Sequence, residues 1–260
     1  MSYLIEKQKN GVLLFTIARE EKRNAINYEV MEGLSQAIKL AEESGAKALI
    51  ITGEGNRAFC SGGDLSVFHS LHTKEEAYAM LSKMSKILYS LLVLPIPTIA
   101  LLNGPAIGGG CELAIACDYR LAKKGVKVGF VQGKQAITTG WGGGTILSEK
   151  LPQPMAMKLL MEAEPKRVED LEKIGYIDQT FEGDPNLASD VFLENILLKE
   201  VTVLQAYKKI WIRKWEAQNL LRRMEEEVKT CSVLWESDVH HEYVNKFMNK
   251  TLNNISKRET

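Results

Sequence analysis

Three short apolar runs set the class of fold this chain adopts: VLLFTI at 12–17, ALIIT at 48–52 and TIALL at 98–102. Each reads as a buried strand. Between the first two lies YEVMEGLSQAIKLAEES, where Val30, Met31, Leu34, Ile38 and Ala41 recur at helical spacing behind Asn27. Between the second and third, residues 74–94 form a long amphipathic segment that Pro95 and Pro97 terminate. This alternation predicts right-handed strand–helix–strand units on a parallel sheet.

Residues 119–122 and 126–130 are further strand candidates, and from about Pro154 the pattern is helical nearly to the end. The expected organisation is an α/β core over residues 1–195 and a helical region over 196–260, with no low-complexity linker between them. Residues 200–250 carry apolar stripes (Val203, Tyr207, Ile210, Trp211; Leu234, Val239, Tyr243, Phe247) that call for partners, because such a surface is an aggregation hazard on a monomer.

Composition narrows the function. Lys plus Arg and Asp plus Glu both number 33, so no basic excess marks a general nucleic-acid binder. The four cysteines, Cys60, Cys111, Cys117 and Cys231, form neither a disulfide framework nor a CxxC metal motif, and no metal ligand set is expected. The N-terminal stretch has charges inside its apolar residues and no small-residue cleavage site, unlike a signal peptide. The longest apolar run, near 88–102, is broken by prolines, so no membrane span is expected. A reduced, cytoplasmic protein is the expectation. His69 and His72, like His240 and His241 near the end, are expected at the surface.

The chemistry is signalled by glycines. AFCSGGD at 58–64 and GGGCE at 108–112 each place glycines between a strand and a helix start, where unpaired backbone N–H groups and the helix dipole favour negative charge. Two such loops side by side could hold one oxyanion. They could equally serve tight turns and close packing. A Walker-type phosphate loop lacks its Gly-Lys-Ser/Thr ending, and no GxGxxG supports dinucleotide binding.

AFCSGGDL resembles the crotonase-family signature AFxAGxDL, and NGPAIGGGCELAIACDYRLA resembles NGxAxGGGxELxxxCDxxxA. KRNAIN at 22–27, VEDLEKIGYI at 168–177 and the segment 235–250 are similar to further family segments. The likeness spans nearly the whole chain and identifies it with the enoyl-CoA hydratase/isomerase, or crotonase, superfamily. It implies a ββα spiral core, a C-terminal helical oligomerisation region, and a homotrimer or dimer of trimers. The implied partner is an acyl-CoA thioester, with coenzyme A arriving as part of the substrate and no separate cofactor. It also implies oxyanion-hole donors at the N–H groups of Gly63 and Gly109, a catalytic carboxylate at Glu112, and Asp64 as a helix cap. Lys22, Arg23 and Ala25 fall where family members bind coenzyme A, and Phe247 and Lys250 match the aromatic and basic pair near its adenosine end. Trp141 either faces the acyl pocket or a subunit contact, or pins the second glycine loop from the core.

The pattern breaks once. Hydratases of the family carry a second glutamate eight residues before the glycine loop that begins at Gly140; here that position is Gln132. An amide orients a water or a carboxylate but transfers no proton. A site with one carboxylate favours decarboxylation of a short malonyl-type thioester, or isomerisation of a 3-enoyl thioester. FVQ…GWGG also looks more like the family's methyl- and ethylmalonyl-CoA decarboxylases. The alternatives are a hydratase with a modified second position and a non-catalytic CoA-binding member.

Overall fold

The computed structural model describes residues 1–246. The elements in chain order are β1 (Tyr3–Lys7), β2 (Val12–Ile17), α1 (Tyr28–Glu43), β3 (Ala48–Gly53), α2 (Leu65–Phe68), α3 (Lys74–Leu92), β4 (Thr98–Leu102), β5 (Ala106–Ile107), α4 (Gly109–Ala116), β6 (Tyr119–Lys123) and β7 (Lys127–Gly129). Then follow α5 (Gly143–Lys150), α6 (Gln153–Glu162), β8 (Lys166–Arg167), α7 (Val168–Lys173), β9 (Gln179–Phe181), α8 (Pro185–Leu197), α9 (Val201–Ala217) and α10 (Leu220–Trp235).

Six strands form the main sheet in the order β1-β2-β3-β4-β6-β9, parallel except for β1. The three apolar runs are its central strands. All five residues of β4 are buried, because both faces of the sheet are covered. Phe15, Ile17, Leu49, Ile51, Ala100 and Leu102 pack with α1, α3 and α4 on one side. Val12, Ala48, Ile50, Ile99, Leu101 and Leu121 meet Leu193 of α8 on the other.

After each central strand the chain lays down a short extended piece in a second layer. Ile26 bridges Gly63, Cys60 bridges Ala106, and β5 pairs with β7, all in parallel. One strand in the large sheet, one in the small layer and one helix thus make each turn of a ββα spiral. Capping fixes where the helices begin: the Asn27 side chain accepts from the Val30 N–H, and Thr73 with Glu76 forms a capping box on α3. Such caps contribute about 1 kcal/mol each.

Three expectations need revision. The C-terminal third is not uniformly helical, since β8 and β9 interrupt it. Both β1 and β9 escaped the sequence pattern because they are edge strands: β1 reads YLIEK with no fully buried residue, and β9 has three residues. His240 is 2% exposed, its Nδ1 sits 2.7 Å from the Gln135 carbonyl, and its ring packs on Trp235. That burial lowers its pKa. A histidine in the mostly polar stretch Asp238–Glu242 reads as solvated until Trp235 and Gln135 are brought against it.

The boundary drawn at 195/196 falls inside α8, and α10 lies on α3 and α5 of its own core. The Trp235 indole N–H donates to the Leu71 carbonyl at 2.9 Å. The α9 stripe of Val203, Tyr207, Ile210 and Trp211 is exposed. No helix among the described residues is long and apolar enough to cross a membrane.

Candidate active site

The loops that follow β3 and β4 run side by side. Phe59 N–H donates to the Pro105 carbonyl and Ile107 N–H to the Cys60 carbonyl, both at 3.0 Å. Their glycines let backbone touch backbone: a Cβ on Gly110 would lie 2.1 Å from the Cys60 oxygen, and one on Gly62 (φ +93°) would lie 3.0 Å from the Gly109 nitrogen. Among the described residues neither Gly63 N–H nor Gly109 N–H donates to a protein acceptor. Gly109 opens α4, so its N–H has no partner inside the helix. The two unpaired donors therefore sit on adjoining loops at one end of the spiral, the arrangement an oxyanion would need.

Glu112 follows on the first turn of α4 and is 2% exposed. Its Oε1 accepts from Trp141 N–H at 2.8 Å and Gly143 N–H at 3.0 Å, and its Oε2 from the Gln132 side-chain amide at 2.9 Å. Burial, followed by the charge of Glu227, raises its pKa from 4.5 to about 7, against the backbone donors that hold it down. A carboxyl group poised there can give or take a proton at neutral pH. At the far end of α5, the Lys150 ammonium donates to the carbonyls of Ile115 and Cys117 at 2.7 and 2.6 Å. The α5 helix thus grips α4 at both ends, and that grip aims Glu112.

The structure supports the reading of Trp141 as a core aromatic that pins the glycine loops. Its ring is 4% exposed and lies so close to Gly109 that a Cβ there would meet Cζ3 at 2.2 Å; a Cβ on Gly63 would meet Cζ2 at 3.6 Å. One indole therefore walls both glycine loops while its backbone N–H holds Glu112. Gln132, which opens a short 3₁₀ turn, brings its amide to Glu112, and its Oε1 is buried without a hydrogen-bond partner. A buried acceptor left unpaired is costly unless a ligand supplies the donor.

The Lys22–Ala25 segment is tied to the first loop: Ser61 N–H donates to the Arg23 carbonyl at 3.1 Å, and Arg23 and Asn24 adopt left-handed backbone (φ +52° and +55°). The Asn24 amide, donating to the Glu54 and Ala58 carbonyls, holds this strained corner. Lys22 and Arg23 remain exposed beside the loop, and Ala25 is buried. Phe247 and Lys250 lie outside the described residues. Asp64 caps α2, accepting from Ser66 N–H at 3.0 Å, and pairs with Arg19 at 2.7 Å.

Sequence reasoning missed Glu227. Its carboxylate accepts from the Thr139 hydroxyl, Gly144 N–H, Thr145 N–H and the Thr145 hydroxyl, at 2.6–3.1 Å. A signal was present: Leu220, Met224, Val228 and Cys231 form the buried stripe of α10, and Glu227 falls on that face. A surface cavity of about 350 Å³, lined by Ser35, Ile38, Lys39 and Lys86 among others, shares no residue with this cluster.

Residues 7–256 match the family model described as enoyl-CoA hydratase/isomerase. The chain belongs to the enoyl-CoA hydratase/isomerase family. That family lies within the crotonase superfamily, and the chain spans about three-fifths of the length of the methylglutaconyl-CoA hydratases it matches. Among curated proteins it is 32% identical to mouse methylglutaconyl-CoA hydratase over 185 residues, 69% of this chain and 59% of the mouse protein. It is 30% identical to chicken ethylmalonyl-CoA decarboxylase over 211 residues, 79% of this chain and 70% of that protein. Its fold superposes on an enoyl-CoA hydratase/isomerase from Xanthobacter autotrophicus with a TM-score of 0.88 at 24% identity, covering 99% of this chain and 97% of that one. The spiral core is therefore the family's, and these two curated relatives are named for two different reactions.

Proposed function

We propose that this family member decarboxylates a short malonyl-type acyl-CoA, with Gly63 and Gly109 N–H holding the thioester oxygen and Glu112 moving the proton. The observation that carries this reading is the Gln132 amide bonded to Glu112 at 2.9 Å, in the place of a second proton-transferring carboxylate. Glu227 does not fill that role, because four donors already occupy its oxygens.

In the proposed reaction the bond between the α-carbon and the substrate carboxylate breaks. CO₂ leaves, and the bonding electrons pass into an enolate whose oxygen takes the two glycine N–H bonds. Protonated Glu112 then delivers its proton to the α-carbon and regains one from solvent. No base is needed to form the enolate, so one carboxyl group suffices. Isomerisation of a 3-enoyl thioester has the same requirement, with Glu112 removing and returning one proton. Coenzyme A enters as part of the substrate, its phosphates beside Lys22 and Arg23. The exposed α9 stripe is the surface a homotrimer would bury.

Hydration is the second reading, favoured by the 32% identity to a protein named methylglutaconyl-CoA hydratase. The test is turnover of methylmalonyl-, 3-enoyl- and crotonyl-CoA by the unmodified protein and by Gln132→Glu. Faster malonyl-type decarboxylation, with crotonyl-CoA hydration that rises in Gln132→Glu, is the expected result. Vigorous crotonyl-CoA hydration that ignores the substitution would overturn the reading.

Lys22→Ala with Arg23→Ala is expected to weaken CoA binding about tenfold and to flatten its salt dependence, since two exposed charge contacts of ~0.5–1 kcal/mol each are lost. Calorimetric titration of CoA at low and high salt measures both. An unchanged affinity would remove the phosphates from this place.

A further inference from the structure

We propose that Glu227 is a positioning residue: by clamping the 139–145 loop from α10, it fixes the backbone N–H groups that orient Glu112 and places a second negative charge beside it. The proposal rests on Glu112 being the proton-transferring group. The geometry is an alternation along one turn. Trp141 N–H and Gly143 N–H go to Glu112, while Gly144 N–H and Thr145 N–H go to Glu227. Two carboxylates, one from α4 and one from α10, thus share the N-terminus of α5, whose dipole offsets part of their mutual repulsion. The Thr139 hydroxyl bond at 2.6 Å extends the clamp to the start of the loop.

Glu227 touches nothing that reacts, yet its charge bears on Glu112. The titratable groups facing Glu112 are Glu227 and Cys231 of α10 and Cys111 of α4. Residues 139–145 and Gln132 bring no charge, and the nearest lysine on that turn, Lys134, is paired with Glu164 at 2.6 Å. Burial pushes the Cys231 thiol up to about 12 and the Cys111 thiol higher still, so both stay neutral. Among the described residues Glu227 is the neighbour whose negative charge bears on Glu112. Burial raises its own pKa against the four donors, so part of its effect depends on the clamp staying closed.

The experiment reads Glu112 directly, without turnover. In the full chain carrying ¹³C-labelled glutamate carboxyls, the Glu112 signal is the one lost in Glu112→Gln. Its titration midpoint is expected to fall by about one pH unit or more in Glu227→Gln, because removing a negative neighbour favours the charged form. In the same variant kcat should fall on the best thioester substrate, the neutral-pH limb should move down in parallel, and KM should hold. An unmoved midpoint, with kcat and KM changed only as far as thermal stability is lost, would reduce Glu227 to a structural prop and overturn the proposal. Thr139→Val gives a second arm should Glu227→Gln not fold: amide exchange at Trp141 and Gly143 is expected to quicken, and unchanged exchange refutes the clamp. A shifted midpoint together with full activity of Glu112→Gln would leave the positioning intact and sink the proposed chemistry instead.

Discussion

Glu112→Gln is expected to lower kcat by about 10²–10⁴, the usual cost of losing a proton-transferring side chain, while CoA binds as before. The fold should survive the change. A glutamine at 112 keeps an oxygen for Trp141 and Gly143 N–H, and its new amide N–H, in the place of Oε2, pairs with Gln132 once the Gln132 amide turns over to present its Oε1. Stability should move with pH in a defined direction. The pKa of Glu112 is raised from 4.5 to about 7, so between those values the folded state holds a proton that the unfolded chain releases. Unfolding free energy contributed by this group therefore falls as pH rises through that window. Glu112→Gln removes the buried charge and should flatten that decline, which denaturant melts at acid and mildly alkaline pH would record.

The limb of the rate profile near pH 7 also separates reactions. If Glu112 acts as the acid that protonates a decarboxylated enolate, the rate falls as pH rises through about 7; if it acts as the base of an isomerase, the rate rises. A rate independent of Glu112 in both assays would remove it from the chemistry.

Gly109→Ala is expected to cost roughly 10²–10³ in kcat although no hydrogen-bond donor is deleted. An added Cβ would meet the Trp141 ring at 2.2 and 2.4 Å, and a ring 4% exposed has nowhere to go without moving the loop. Overpacking of this kind costs about 1–3 kcal/mol. A displacement near 1 Å at the Gly109 N–H is enough for a loss of about 10² through misplacement alone, and loss of a donor's aim for about 10³. Moving Trp141 also disturbs the backbone N–H that holds Glu112, so both halves of the site suffer together. Pairing Gly109→Ala with Trp141→Leu should restore part of the rate, because the smaller side chain leaves room for the methyl group. A double variant no better than the single one would show that the indole contact is not what limits Gly109.

The central strands, the helices α1 and α3 and the two glycine loops were legible in the sequence because each is written locally. Unbroken apolar runs, a 3.6-residue period and glycines ahead of a helix start need no distant partner to be read. The resemblance of AFCSGGDL and NGPAIGGGCELAIACDYRLA to family signatures placed Gly63, Gly109 and Glu112 before any coordinates. Folding added the facts that join residues far apart in the chain. Gln132 donates to Glu112 twenty residues away, and Glu227 holds Thr139 across eighty-eight. The edge strands and buried His240 were invisible for a related reason: a short or polar segment becomes buried only through what packs on it. The sequence by itself thus determined which backbone could present unpaired N–H groups, since glycine and strand–helix order act within a few residues. Only the tertiary structure decided the charge state of Glu112, because desolvation and the field of Glu227 exist only once α4, α5 and α10 are brought together.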